Sequence, residues 1–164
     1  MAETISSFLV GKGISKEIVI FLISLMPVFE LRGGLIAASF LDVDFVKAFF
    51  ICLLGNIIPI PFILIFIRKI FQFLRDKRGF KKIIEKLEVR SMRKSDKVKR
   101  WRDWGLLLFV AIPLPGTGGW TGALIAALLD MRIRKSLPII SLGVLLAGII
   151  MSVLTYFIPA LFGF

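Results

Sequence analysis

Two opposite charges, Glu30 and Arg32, stand in the stretch PVFELRGG at residues 27–34, with nine apolar or small residues before it (18–26) and nine more at 33–41. A carboxylate or guanidinium near the middle of a bilayer costs roughly 2.5–3.5 kcal/mol, so such a pair must face protein or water rather than lipid. Pro27 removes a backbone donor and clashes with the preceding turn, which stops a helix there. Nine helical residues cover about 14 Å, roughly half of a bilayer core. The chain must therefore fold so that a broken, charged segment is shielded, and Glu30 with Arg32 is the first candidate site.

The surroundings are built for hydrocarbon: 57% of the 164 residues are hydrophobic and the mean hydropathy is +0.90, which predicts an integral membrane protein forming one domain over 1–164. The uncharged runs 105–129 and 136–164 each exceed the roughly 20 residues that span a bilayer. Residues 48–67 form a third uncharged run, closed by Arg68 and Lys69 and interrupted by Asn56, Pro59 and Pro61. A proline kink there and a cross-helix bond from Asn56 make these packing or gating residues, as are Pro27 and Pro113 at the two breaks. The N-terminus lacks the basic start and small-residue cleavage site of a signal peptide, so the chain is expected to insert whole.

Net charge is +11, concentrated in residues 75–103, where 13 Lys or Arg oppose five Asp or Glu. That block predicts a cytoplasmic loop beside anionic lipid head groups of the cell membrane, with no nucleic-acid partner. Phe80, Ile84, Leu87, Val98 and Trp101 fall near one side at helical spacing, which predicts an interfacial amphipathic helix. Cys52 is alone and no His is present, which removes disulfides, Cys-His and Ser-His nucleophiles and His-based metal sites. No cofactor, metal or enzymatic activity is expected.

The second break is PLPGTGG at residues 113–119, and it pairs with the first. GGLIAA at 33–38 lies over GALIAA at 122–127, Asp42 over Asp130, Lys47 over Lys135 and Gly55 over Gly143, a period of 88 to 89 residues, and Pro27 lies over Pro113 with a loop three residues longer in the second half. Repeat 1 then covers about 17–74, the basic linker 75–103, and repeat 2 about 104–164. If residues 18–41 and 104–129 both crossed fully, DMRIRK at 130–135, net +2, would sit outside, against the positive-inside tendency. Two re-entrant hairpins place it inside with the basic block, and leave DVDFVK at 42–47, net −1, outside. The expectation is an all-α inverted repeat of re-entrant hairpin plus transmembrane helix, because non-helical backbone at membrane depth is tolerated where it lines a cavity.

In that arrangement both tips approach near the midplane, and half-helix N-termini following Arg32 and Gly119 would offer free N–H groups to an anion. Gly33, Gly34, Gly116, Gly118 and Gly119 would allow close backbone approach, Pro115 lies within the second tip, and Thr117 and Thr121 add hydroxyls. Arg32 supplies a planar fork suited to phosphate or carboxylate. Glu30 would neutralise Arg32 without substrate, or take a proton when substrate displaces it. The plainer readings are a locked Glu30–Arg32 ion pair, an ordinary loop at 113–119, and solvated turn or N-cap roles for Asp42 and Asp130.

With ELRG in its first half and PLPGTG in its second, the chain resembles the small multidrug export family over nearly its whole length. The proline that follows ELRG in many members is absent here, where Gly34, Leu35 and Ile36 stand instead. The family is similar, more remotely, to the DedA or VTT superfamily of paired re-entrant hairpins, which includes lipid scramblases and polyprenyl-phosphate translocases. That resemblance implies a transporter. The reading is proton-linked translocation of an amphipathic anion, such as a lipid phosphate, or of an anionic small molecule, by a homo-oligomer in contact with membrane lipid. Export of a cationic drug bound by Glu30, or a non-transporting membrane scaffold, are the alternatives.

Overall fold

The computed structural model describes residues 11, 13–75, 96–114 and 116–158, with side chains described outside 71–75 and 96–101. Seven α-helices account for most of it: α1 (Lys16–Leu25), α2 (Glu30–Phe40), α3 (Phe45–Ile57), α4 (Pro59–Arg75), α5 (Asp96–Ala111), α6 (Gly119–Leu128) and α7 (Ile133–Ser152), which runs on into the π-helical turn Val153–Phe157. Pro115 and residues 76–95, which carry most of the expected amphipathic helix, lie outside the described residues.

Local chemistry sets the ends of the short helices. The Ser15 hydroxyl caps α1 by accepting from the Ile18 N–H at 3.4 Å, with Glu17 in the first turn. At the other end Met26, the residue before Pro27, is extended, as a residue preceding proline prefers. The helix α2 ends with Asp42 in the left-handed region at φ 51°. The N–H of Val43 bonds to the Ala38 carbonyl at 3.0 Å and that of Asp42 to Ser39, a Schellman motif. The helix α6 ends in the same way, with Asp130 at φ 48° and Met131 N–H on the Ala126 carbonyl at 2.9 Å. Asp42 and Asp130 are thus C-terminal turn residues rather than N-caps. The N-cap is Asp44, which accepts from the Val46 and Lys47 N–H groups.

The two caps lie 88 residues apart, and the one-letter match of GGLIAA over GALIAA lies one residue off that spacing. Contacts agree with the caps. A Cβ on Gly34 would meet Ser24 and Cys52, and one on Gly122 would meet Val110 and Ile140. Gly55 of α3 lies against the Phe21 carbonyl and Ser24, and Gly143 of α7 against the Leu107 carbonyl and Val110.

Each pair of short helices forms a hairpin. Lys16 Nζ, at the start of α1, donates to the Leu41 carbonyl at the end of α2, so the two arms return to one base. Arg102, the seventh residue of α5, donates to the Leu129 carbonyl after α6 at 3.3 Å and closes the second hairpin likewise. The helix α7 leaves from the base of the second hairpin and ends at the base of the first, where the Tyr156 hydroxyl donates to the Val43 carbonyl at 3.4 Å and Phe45 packs edge-on against Tyr156 and Phe157. The two bases therefore lie at opposite ends of a helix about 35 Å long at 1.5 Å per residue.

Phe45–Ile70, which joins α3 and α4, and Ile133–Phe157 are long and apolar enough to cross a membrane. Only 28% and 33% of their most apolar windows are buried, which is too little for core helices of a soluble protein. Phe50, Phe62, Phe66, Leu108 and Leu142 point outward, while Ile20, Ile23, Leu35, Leu64, Ile140 and Val144 form the interior. The run 48–67 is interrupted at Ile58, before Pro59, where the prolines predict a kink. One element boundary differs from expectation. The helix α5 passes unbroken from the basic block into the apolar segment, since no proline stands between Asp96 and Ala111 and a change of charge does not end a helix.

Candidate functional site

The two hairpin tips meet. Glu30, the first residue of α2, is 6% exposed and held at φ 52°, a left-handed conformation costing an L-residue about 1–2 kcal/mol. What holds it lies on the other hairpin. Its Oε1 accepts from the Trp120 N–H at 3.1 Å, and the Gly119 N–H also faces the carboxylate. These are orphan donors of the first turn of α6, where a negative charge is favoured by the helix dipole. Gly118 is the cradle: a Cβ there would lie 1.4 Å from Oε2, so no side chain fits beside the carboxylate.

Arg32 reaches across in the same direction. Its guanidinium donates to the carbonyls of Ile112, Leu114 and Thr117 and to the Thr117 hydroxyl, the last at 3.1 Å. The break that follows α5 leaves these carbonyls without helical partners, and a planar five-donor fork satisfies several at once. The Thr117 hydroxyl ties the same loop together, accepting from the Leu114 N–H and donating to the Ile112 carbonyl at 2.7 Å. Among the described residues Arg102–Asp103 is the one ion pair within 4.0 Å; Glu30 and Arg32 do not pair with each other. Each instead binds backbone of the second tip.

A void of about 10 Å³ remains where the tips touch, lined by Glu30, Arg32, Asn56 and the backbone of Gly118 and Gly119, with Val110, Val144 and Ala147 closing it. That is room for one water. Asn56, on α3, is 2% exposed, and its Oδ1 has no donor among the described residues. It points at the start of α6, 3.1 Å from where a Cβ of Gly119 would be.

Of the residues singled out from sequence, Glu30, Arg32, Asn56, Gly118 and Gly119 line this void, and Thr117 braces it through Arg32. Gly33 and Gly34 do not. Helix α2 begins at Glu30 rather than after Arg32, the Gly33 N–H is bonded to the Phe29 carbonyl, and Gly34 packs against Ser24 and Cys52. The anion-receiving N-terminus expected after Arg32 is therefore not formed, and that of α6 stands alone. Gly116, at φ 80°, serves the turn of the second tip and is exposed, as Pro27 is at the first. Pro113 and Thr121 are half-buried, and neither borders the void. Sequence reasoning missed the carbonyls of Ile112 and Leu114, since a carbonyl that accepts a side chain leaves no mark on residue identity. Among the described residues no group of His, Cys, Asp and Glu could hold a metal.

A family model described as "Putative small multi-drug export protein" matches residues 30–150, a stretch that begins at Glu30 and includes Arg32 and the whole second tip. Comparison with curated proteins and with solved structures gives no match.

Proposed function

Since the chain belongs to the small multi-drug export protein family, we propose that it is a membrane transporter whose two re-entrant hairpins enter the bilayer from opposite faces and form the substrate site where their tips meet. The observation that carries this is the Glu30 carboxylate seated on the N-terminus of α6. It is a built-in anion on a site shaped for one. A substrate anion would take the Gly119 and Trp120 N–H groups in its place, with Arg32 beside it as the compensating charge, and Glu30 would take up a proton as it is displaced. The void is far too small for a head group, so the tips must part for each passage. The bases at opposite ends of α7 and the matching caps 88 residues apart support an inverted repeat. The substrate in this reading is an amphipathic anion such as a lipid phosphate, in keeping with the remoter resemblance to the DedA superfamily.

The family's description favours a second reading, export of a cationic drug, for which the buried Glu30 carboxylate would be the receptor. The two differ in the sign of the substrate. Flux of a phosphate-bearing lipid and of an organic cation is measured in liposomes holding wild type, Arg32→Gln and Glu30→Gln. Loss of lipid flux in Arg32→Gln, with flux retained but insensitive to pH in Glu30→Gln, is expected. Equal lipid flux in all three refutes the anion reading; cation flux abolished by Glu30→Gln alone establishes the second.

A further inference from the structure

At the meeting point the Asn56 side-chain carbonyl is given nothing to bind among the described residues. The residue is 2% exposed. A buried acceptor left unpaired is costly, so its retention here asks for a reason. Asn56 lines the same void as Glu30, and its Oδ1 faces the first turn of α6, a helix of ten residues. The two polar side chains that line the void besides Arg32 thus both carry oxygen acceptors, a carboxylate and an amide carbonyl. The guanidinium is committed to the carbonyls of residues 112, 114 and 117. A metal cation is disfavoured there by the adjoining guanidinium and by the positive end of α6. What suits the place is a group that donates a hydrogen bond, and a single water fits the volume.

We infer that Asn56 selects the substrate: its Oδ1 accepts from a hydroxyl or amine carried next to the anionic group, in the position that one water takes while Glu30 is seated on α6. This rests on the anion reading above and narrows it. An anionic group entering the Glu30 position brings its neighbouring atoms within reach of Asn56. A substrate with a donor there satisfies Oδ1, and one without leaves it unpaired and dry. Sites that hydrogen-bond a substrate hydroxyl reject analogues lacking it far more strongly than apolar pockets reject a methyl group.

The test compares two lipids of equal charge, phosphatidylglycerol, whose head group carries hydroxyls, and phosphatidylmethanol, whose head group carries none. Both are fluorescently labelled on an acyl chain and followed in liposomes containing the full chain. Wild type is expected to move phosphatidylglycerol about tenfold faster or more, the equivalent of about 1.4 kcal/mol. In Asn56→Leu the two rates should become equal, with phosphatidylglycerol falling to the rate of phosphatidylmethanol. Asn56→Ser, which keeps a short acceptor, should retain part of the preference. Parallel arms with glycerol phosphate and methyl phosphate trapped inside the vesicles separate a lipid head group from a free phosphate ester as the ligand. Equal wild-type rates for the matched pair overturn the inference while leaving anion transport standing, and so does a preference that survives in Asn56→Leu. If none of the four compounds moves, the anion reading fails and this inference falls with it. Equal wild-type rates overturn the inference even where a variant fails to fold.

Discussion

A single methyl group added at Gly118 probes the contact between the tips. In Gly118→Ala the new Cβ would lie 1.4 Å from Glu30 Oε2, 2.3 Å from Cδ and 2.6 Å from Oε1. Ordinary contact between carbon and oxygen needs well over 3 Å, so the carboxylate must leave the start of α6. It then forfeits a charge-assisted bond from the Trp120 N–H, worth about 1.5–3 kcal/mol. If it stays buried without a partner, the loss approaches the roughly 3–5 kcal/mol seen when one member of a buried charged pair is removed. At about 2–4 °C per kcal/mol for a chain of this size, thermal unfolding in detergent should fall by roughly 3–20 °C. Gly105→Ala is the control, since a Cβ there meets nothing within 4 Å and alanine is the better helix former by roughly 0.5–1 kcal/mol. The decisive comparison is a cycle with Glu30→Ala, which removes the group that the new methyl strikes. Gly118→Ala should cost little in that background. Additive losses, or a Gly118→Ala protein as stable as Gly105→Ala at the same scan rate, would show that Glu30 does not sit in the Gly118 cradle.

Arg32→Lys keeps the charge but replaces a fork spanning three carbonyls with one ammonium, and should lower stability by about 1.5–3 kcal/mol in the same unfolding assay; an unchanged melting temperature would mean that the fork is dispensable. At the two Schellman caps, Asp42→Val and Asp130→Val should each cost about 1–2 kcal/mol, because a β-branched residue resists the left-handed conformation, while the glycine variants should come within a few tenths of wild type. Cysteines placed at Asp44 and Arg134 in a Cys52→Ala background should be labelled by an impermeant maleimide from opposite sides of the membrane; labelling from one side would favour four full crossings.

Much of the architecture was legible because breaks in an apolar chain are conspicuous. Pro27 and the residues 113–119 mark both tips, and the long uncharged runs mark the helices that pack behind them. The charged pair was legible as a site for an energetic reason, since neither Glu30 nor Arg32 could be left to lipid. Their partners were not legible. Arg32 binds three carbonyls and Glu30 binds an amide, and backbone groups are identical at every residue. Glycine misled in a particular way: Gly33, Gly34 and Gly118 all lack a Cβ, yet two serve helix packing and one serves the carboxylate. Nothing about Lys16 or Arg102 in sequence foretells that each closes the base of a hairpin.

The division of the site between two tips has a consequence for biosynthesis. Glu30 and Arg32 leave the ribosome almost ninety residues before the amides and carbonyls that receive them. At about 5–20 residues per second, that is a delay of roughly 4–18 s. For that interval the nascent first hairpin carries two charges that have only each other as partners, each disfavoured in hydrocarbon by a few kcal/mol. In the proposed re-entrant arrangement it would wait near the head groups until the second hairpin arrives, so that the residues translated first are among those buried late.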